Sequence, residues 1–128
     1  MSFGLLRFPK NDRHFLWTDH SKSKMIQYFI SESKIRGVIK KHDRIERGIA
    51  PKTVAVMQRN DRGKRKEELW VMYQKISNFS NKKSKVRIIS CWRYPGRSPV
   101  GKAIPIPEEI RSEIEEEIEK LKREPLKF

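Results

Sequence analysis

Phe15 and Trp17 share one side of a short extended segment at the start of the patterned part of the chain. Thr18 then stands as a helix N-cap, with Asp19 favourable in the first turn. This predicts a helix over about residues 19–29, which would place Met25 and Phe29 together with Ile26 on the adjoining edge. Ser31 caps a second short helix, whose stripe is Ile35, Val38 and Ile39. From residue 44 the period becomes extended. Arg44–Ile49 is expected to pair with Thr53–Gln58 through Ala50-Pro51-Lys52, and Asn60–Glu68 forms a polar, basic turn. Leu69–Ile76 is the next strand, rich in β-formers, and a turn at Ser77–Ser84 leads into a strand over Lys85–Tyr94.

Strict alternation along that strand puts Val86, Ile88, Ser90, Trp92 and Tyr94 on one side and Arg87, Ile89, Cys91 and Arg93 on the other. Pro95–Pro107, with four prolines and two glycines, reads as an extended surface loop. The last element is a helix from about Pro107 to Glu124, with Pro107 at the first helical position and Glu108 and Glu109 at the positive end of the dipole. Ile110, Ile114, Ile118 and Leu121 form its apolar stripe. The expected fold is α+β: two N-terminal helices packed on an antiparallel four-stranded meander, plus a C-terminal amphipathic helix.

Composition adds a partner class. The formal charge is +14, and it is divided unevenly. Residues 108–128 carry eight acids against five bases (−3), which leaves 25 bases and eight acids (+17) in residues 1–107. A basic body over 1–104 therefore bears an acidic helix over 105–128, and such a body attracts polyanions: RNA, DNA or an acidic protein. The single cysteine, Cys91, excludes an internal disulfide and a CxxC zinc framework, and its apolar setting predicts a structural thiol. His14, His20 and His42 lack metal-ligand spacing, and no glycine-rich phosphate loop is present, so no metal or cofactor is expected. No segment reads as a signal peptide or a membrane span, which makes the cytoplasm the default compartment.

The stretch Thr18-Asp19-His20-Ser21-Lys22-Ser23-Lys24-Met25, the following helix, and the strands Leu69–Tyr73 and Val86–Tyr94 resemble a family of small toxins, RelE and BrnT among them. Its members carry a capped His-Ala-x-x-Arg-Met helix, an Arg-Gly-containing turn, a second helix and an antiparallel sheet. The resemblance covers roughly residues 14–94. His20 and Met25 match; Ser21 replaces the usual Ala, Lys24 the usual Arg, and Tyr28-Phe29 stand where the turn has Arg-Gly.

The resemblance implies a compact fold with helices on a sheet and, from the RelE type, metal-independent RNA cleavage in which the ribose 2′-hydroxyl attacks the adjacent phosphate. That reaction needs a base, an acid and cations for the phosphorane. His20 is the acid/base candidate, Lys24 lies one turn further on, and Arg44, Arg87 and Arg93 are candidates for the phosphate. Lys22, off the His20 face, Arg62, Lys64, Arg65, Lys66 and Arg97 would grip the nucleic-acid backbone, with Trp92 or Tyr94 as base platforms.

Each candidate has a plainer role: a helix-start histidine that bonds a neighbour, arginines paired with Glu46, Glu67 or Glu68, a tryptophan in the core, a soluble basic hairpin tip. The favoured reading is an RNA-binding, toxin-like protein with metal-free endoribonuclease activity, and the second is a non-catalytic RNA- or ribosome-binding protein on the same fold. A basic interaction module for an acidic protein, such as an antitoxin, is a third. The acidic helix is either a cover over the anion-binding face or, preferably, a structural brace or a dimerisation helix.

Overall fold

The computed structural model describes residues 9–77 and 84–123. Its elements in chain order are β1 (Phe15–Trp17), α1 (Asp19–Tyr28), α2 (Glu32–Lys40), β2 (Arg44–Arg47), β3 (Thr53–Arg59), β4 (Glu67–Ser77), β5 (Ser84–Pro95) and α3 (Glu108–Arg123). Both early caps form as the sequence requires. Thr18 Oγ1 accepts the Ser21 N–H at 3.0 Å, and Ser31 Oγ accepts the Lys34 N–H at 3.2 Å. Part of the expected Ser77–Ser84 turn (78–83) and the expected helix end at Glu124 lie outside the described residues.

The strands β2 to β5 pair antiparallel in sequence order, as their short spacing predicts. The four-stranded, wholly antiparallel expectation needs correction. The sheet has five strands in the order β1-β5-β4-β3-β2, and β1 runs parallel to β5 with Phe15 opposite Val86 and Trp17 opposite Ile88. A three-residue strand has too little period to reveal a partner some 70 positions downstream.

Helices cover both faces. On one, α1 and α2 bury Met25, Ile35 and Val38 against Val56, Leu69, Val71, Ile88 and Cys91. On the other, α3 buries Ile110 and Ile114 against Met57, Trp70, Met72, Ile89 and Trp92. Pro107 precedes α3 rather than opening it, and its carbonyl accepts the Ile110 and Arg111 N–H groups.

Two local departures matter for the site. Met72 pairs with Ser90 but Tyr73 pairs with Ile88, so Ile89 is an extra residue in β5. Such a bulge breaks the period of two. It leaves Val86 and Ile88 with the first cluster while Ile89 and Trp92 join the second, so the expected single-sided set is split. Secondly, α1 stops at Tyr28. Phe29 takes a left-handed conformation (φ 55), the Ile30 N–H reaches the Met25 carbonyl at 2.8 Å, and the Phe29 N–H reaches the Ile26 carbonyl at 3.2 Å. This is the six-to-one, five-to-two closure of a Schellman cap. It turns Phe29 away from Met25, and both Phe29 and Ile26 are exposed.

Candidate nucleic-acid interface

Of the residues expected to carry chemistry, His20 and Lys24 share one partner, and the arginines have others. His20, in the first turn of α1, lies against β5 and α3: its Nε2 is 2.9 Å from Ser90 Oγ and its Nδ1 is 3.4 Å from Glu113 Oε2. Lys24 is buried one turn on, where its ammonium donates to Glu113 Oε1 at 2.8 Å and to Gln27 Oε1 at 2.7 Å. These two side chains therefore do share a face, and Glu113 bridges them. They meet α3 at the part of β5 beyond Ile88, where the short β1 no longer runs alongside. Only 8% of the His20 side chain is exposed, and burial lowers its pKa from the ordinary 6.5 despite the attraction of Glu113. Burial thus favours the neutral imidazole. Outward from it runs a groove of about 750 Å³ whose lining includes Glu113, Glu116, Glu117 and Glu119. A phosphodiester entering that groove meets carboxylates, an electrostatic mismatch.

The arginines proposed for phosphate contact are occupied in the fold. Arg44 donates twice to one oxygen of Glu46, Oε2, donates to Ser98 Oγ at 2.8 Å, and lies over the Trp70 ring at 5.2 Å. Ser98 in turn donates through Oγ to Glu68 Oε1 at 2.6 Å and through its N–H to Glu68 Oε2, while Trp70 Nε1 also donates to Glu68. Arg87 donates to Gln74, its cross-strand neighbour, at 2.9 Å. Arg93 closes the end of α1, donating to the Tyr28 carbonyl at 2.8 Å and the Phe29 carbonyl at 3.1 Å, and pairs with Glu67 at 2.8 Å. It sits at the opposite end of α1 from His20, roughly 12 Å along the axis at 1.5 Å per residue. Trp92 is wholly buried, stacked on Trp70 with centroids 6.1 Å apart, and its indole donates to the Pro105 carbonyl. Its ring is taken up by the core, and Tyr94 is partly buried against the same cluster.

The basic turn is differently built. Arg62 and Arg65 exchange both backbone hydrogen bonds at 2.9 Å, which closes a tight hairpin over Gly63 and Lys64. Gly63 has φ 59, a conformation a side chain resists, so glycine belongs there. The turn projects Arg62, Lys64, Arg65 and Lys66 into solvent. Asp61 is spoken for: Arg97 clamps it with two hydrogen bonds, and this holds the Asp61 carboxyl far below its usual range. No salt bridge engages Arg62, Lys64 or Arg65 among the described residues. Lys22, on α1, is half-buried and stands apart from this group in sequence.

Between the hairpin and the end of α1 lies a cleft of about 220 Å³ lined by Arg62, Arg65, Asn60, Tyr28 and Phe29, with Glu67 and Arg93 completing it. Phe29 is 61% exposed there. The sequence marked the hairpin cations as site residues but gave no such role to Phe29, Asn60, Ser90 or Glu113. The signal for Phe29 lay in the turn, where a bulky residue follows the helix at the position that glycine usually takes. For Ser90 and Glu113 no local signal existed, because tertiary packing alone brings them to His20. No family model, no curated protein and no solved structure matches this chain.

Proposed function

We propose that this chain is an RNA-binding protein whose binding face is the β3–β4 hairpin tip and the adjoining end of α1, and that it binds without cleaving. The observation that carries this reading is the set of exposed cations at residues 62, 64, 65 and 66 beside an exposed aromatic ring. Cations supply salt-dependent affinity for any phosphate backbone, and an aromatic face adds base stacking. The net charge of +14 supports the same partner class at longer range. The kinship with RelE- and BrnT-like toxins belongs to this proposal, as do a ribosomal site of action and an acidic protein partner.

One arrangement favours an endoribonuclease as the second reading. His20 is hydrogen-bonded to a hydroxyl and set beside a buried ammonium, and its burial favours the neutral ring. The neutral form carries the lone pair that a general base needs, although the same burial weakens it as a base. The reading requires Glu113 and its helix to move away, because they cover both His20 and Lys24.

The test is incubation of a mixed-sequence RNA with the chain in EDTA, followed by both binding and cleavage. The expected result is salt-sensitive binding with intact RNA, weakened when Arg62, Lys64, Arg65 and Lys66 are changed together to Gln and unaffected by His20→Ala. Cleavage abolished by His20→Ala would establish the second reading instead. Absence of RNA binding at low salt would dismiss both.

A further inference from the structure

Phe29 occupies a position that its own backbone disfavours. The left-handed conformation at a Schellman cap is ordinarily a glycine conformation, because a Cβ there approaches the carbonyl oxygen. Phe29 bears that penalty at φ 55 and gains little packing in return, since most of its ring faces solvent. The cap is nonetheless well secured, by its own two hydrogen bonds and by Arg93, which grips the Tyr28 and Phe29 carbonyls. Strain that the surroundings hold firmly, around a side chain that the fold does not use, is a mark of a binding position.

The ring stands over a cleft with a definite character. Arg62 and Arg65 line one side of it. Glu67 also faces it, but its Oε2 accepts from Arg93 and from Asn60, each at 2.8 Å, so its charge is offset locally. At about 220 Å³ the cleft is smaller than the roughly 300–1,000 Å³ of ordinary ligand pockets, a size for one flat ring. We infer that the cleft takes one unpaired base of a single-stranded polynucleotide, stacked on Phe29, with the flanking phosphates on Arg62 and Arg65. This rests on the RNA-binding reading and narrows it to unpaired strands, since a base within a duplex has no open face to offer.

The same geometry sets the controls. Phe29→Gly suits the cap and keeps the hairpin charge, so this variant should melt no lower than wild type. Phe29→Tyr keeps a stacking face. Affinities are measured for a single-stranded RNA, for its duplex with the complementary strand, for inorganic polyphosphate, which has phosphates but no bases, and for a poly-glutamate peptide. Wild type is expected to prefer the single strand. Phe29→Gly should lose about ten- to a hundredfold of that affinity while its affinity for polyphosphate stays unchanged, and Phe29→Tyr should behave as wild type.

Unchanged single-strand affinity in Phe29→Gly would overturn the base site and leave RNA binding standing. Equal loss for polyphosphate would also overturn it, by showing that the substitution disturbs the cations. Poly-glutamate binding as tight as RNA binding, and equally dependent on Phe29, would assign the cleft to an acidic protein. If no RNA binds wild type, the underlying function fails as well.

Discussion

Glu68 is the residue with the most riding on its surroundings. It is only 1% exposed, and it satisfies Trp70 Nε1 and both donors of Ser98, which in turn receives Arg44. Removing it strands several buried donors at once. Glu68→Ala should therefore lower the unfolding free energy by about 3 kcal/mol in urea titration, and Glu68→Gln by less, since it keeps one acceptor.

His20 makes a pH prediction. Burial, the largest influence, lowers its folded pKa below the ordinary 6.5. Between those two values the unfolded chain binds the proton and the folded chain does not, so acid favours unfolding. This contribution to stability is whole above about pH 6.5 and is lost as the pH falls towards the folded value. Urea midpoints at pH 7.5, 6.5 and 5.5 should decline less steeply in His20→Gln than in wild type. Cys91 is simpler. Burial pushes its thiol up to about 12, so a thiol reagent should label the native chain only when it unfolds. Fast labelling at neutral pH would refute the structural assignment.

At the scale of elements, α3 is a wall of the second cluster. Ile110 and Ile114 are fully buried in it, and the preceding loop supplies the carbonyl that Trp92 needs. This packing buries the apolar stripe of the helix against the body of the chain. Ile114→Ala should cost about 2–5 kcal/mol, measured by chemical denaturation, and a cost under 1 would mean that the helix is loosely held. The β2–β3 turn has its own steric requirement. A Cβ added at Gly48 would overlap the Thr53 side chain, whose hydroxyl bonds Ala50, and Gly48 also donates its N–H to the Thr53 carbonyl. Gly48→Ala should consequently destabilise by about 1–3 kcal/mol through overpacking.

For the whole molecule, charge and shape divide the surface. The hairpin gathers exposed cations at one place, while α3 lines the groove near His20 with carboxylates. If RNA binding runs through the hairpin, its affinity should fall linearly with salt on logarithmic axes. Replacing Arg62, Lys64, Arg65 and Lys66 with Gln should flatten that slope by about 3. A slope unchanged by the replacement would move the interface elsewhere. Among the described residues, no helix is long and apolar enough to cross a membrane.

What the sequence by itself determined is whatever depends on neighbours along the chain. Thr18 and Ser31 cap helices through bonds spanning three residues, the spacing of β2 to β5 imposes antiparallel pairing, and the Ile stripe of α3 marks its buried face. The cationic hairpin was legible for the same reason: its charges are contiguous. Tertiary structure alone decided the rest. The partner of β1 lies far downstream, and the bulge at Ile89 arises between two strands. His20 reads as a catalytic candidate until packing surrounds it with Ser90 and Glu113, 70 and 93 residues away. Arg93 reads as a phosphate ligand until the end of α1 arrives with two carbonyls in need of donors. Proximity in the chain is written in the residues; a side chain's environment is a property of the packed whole.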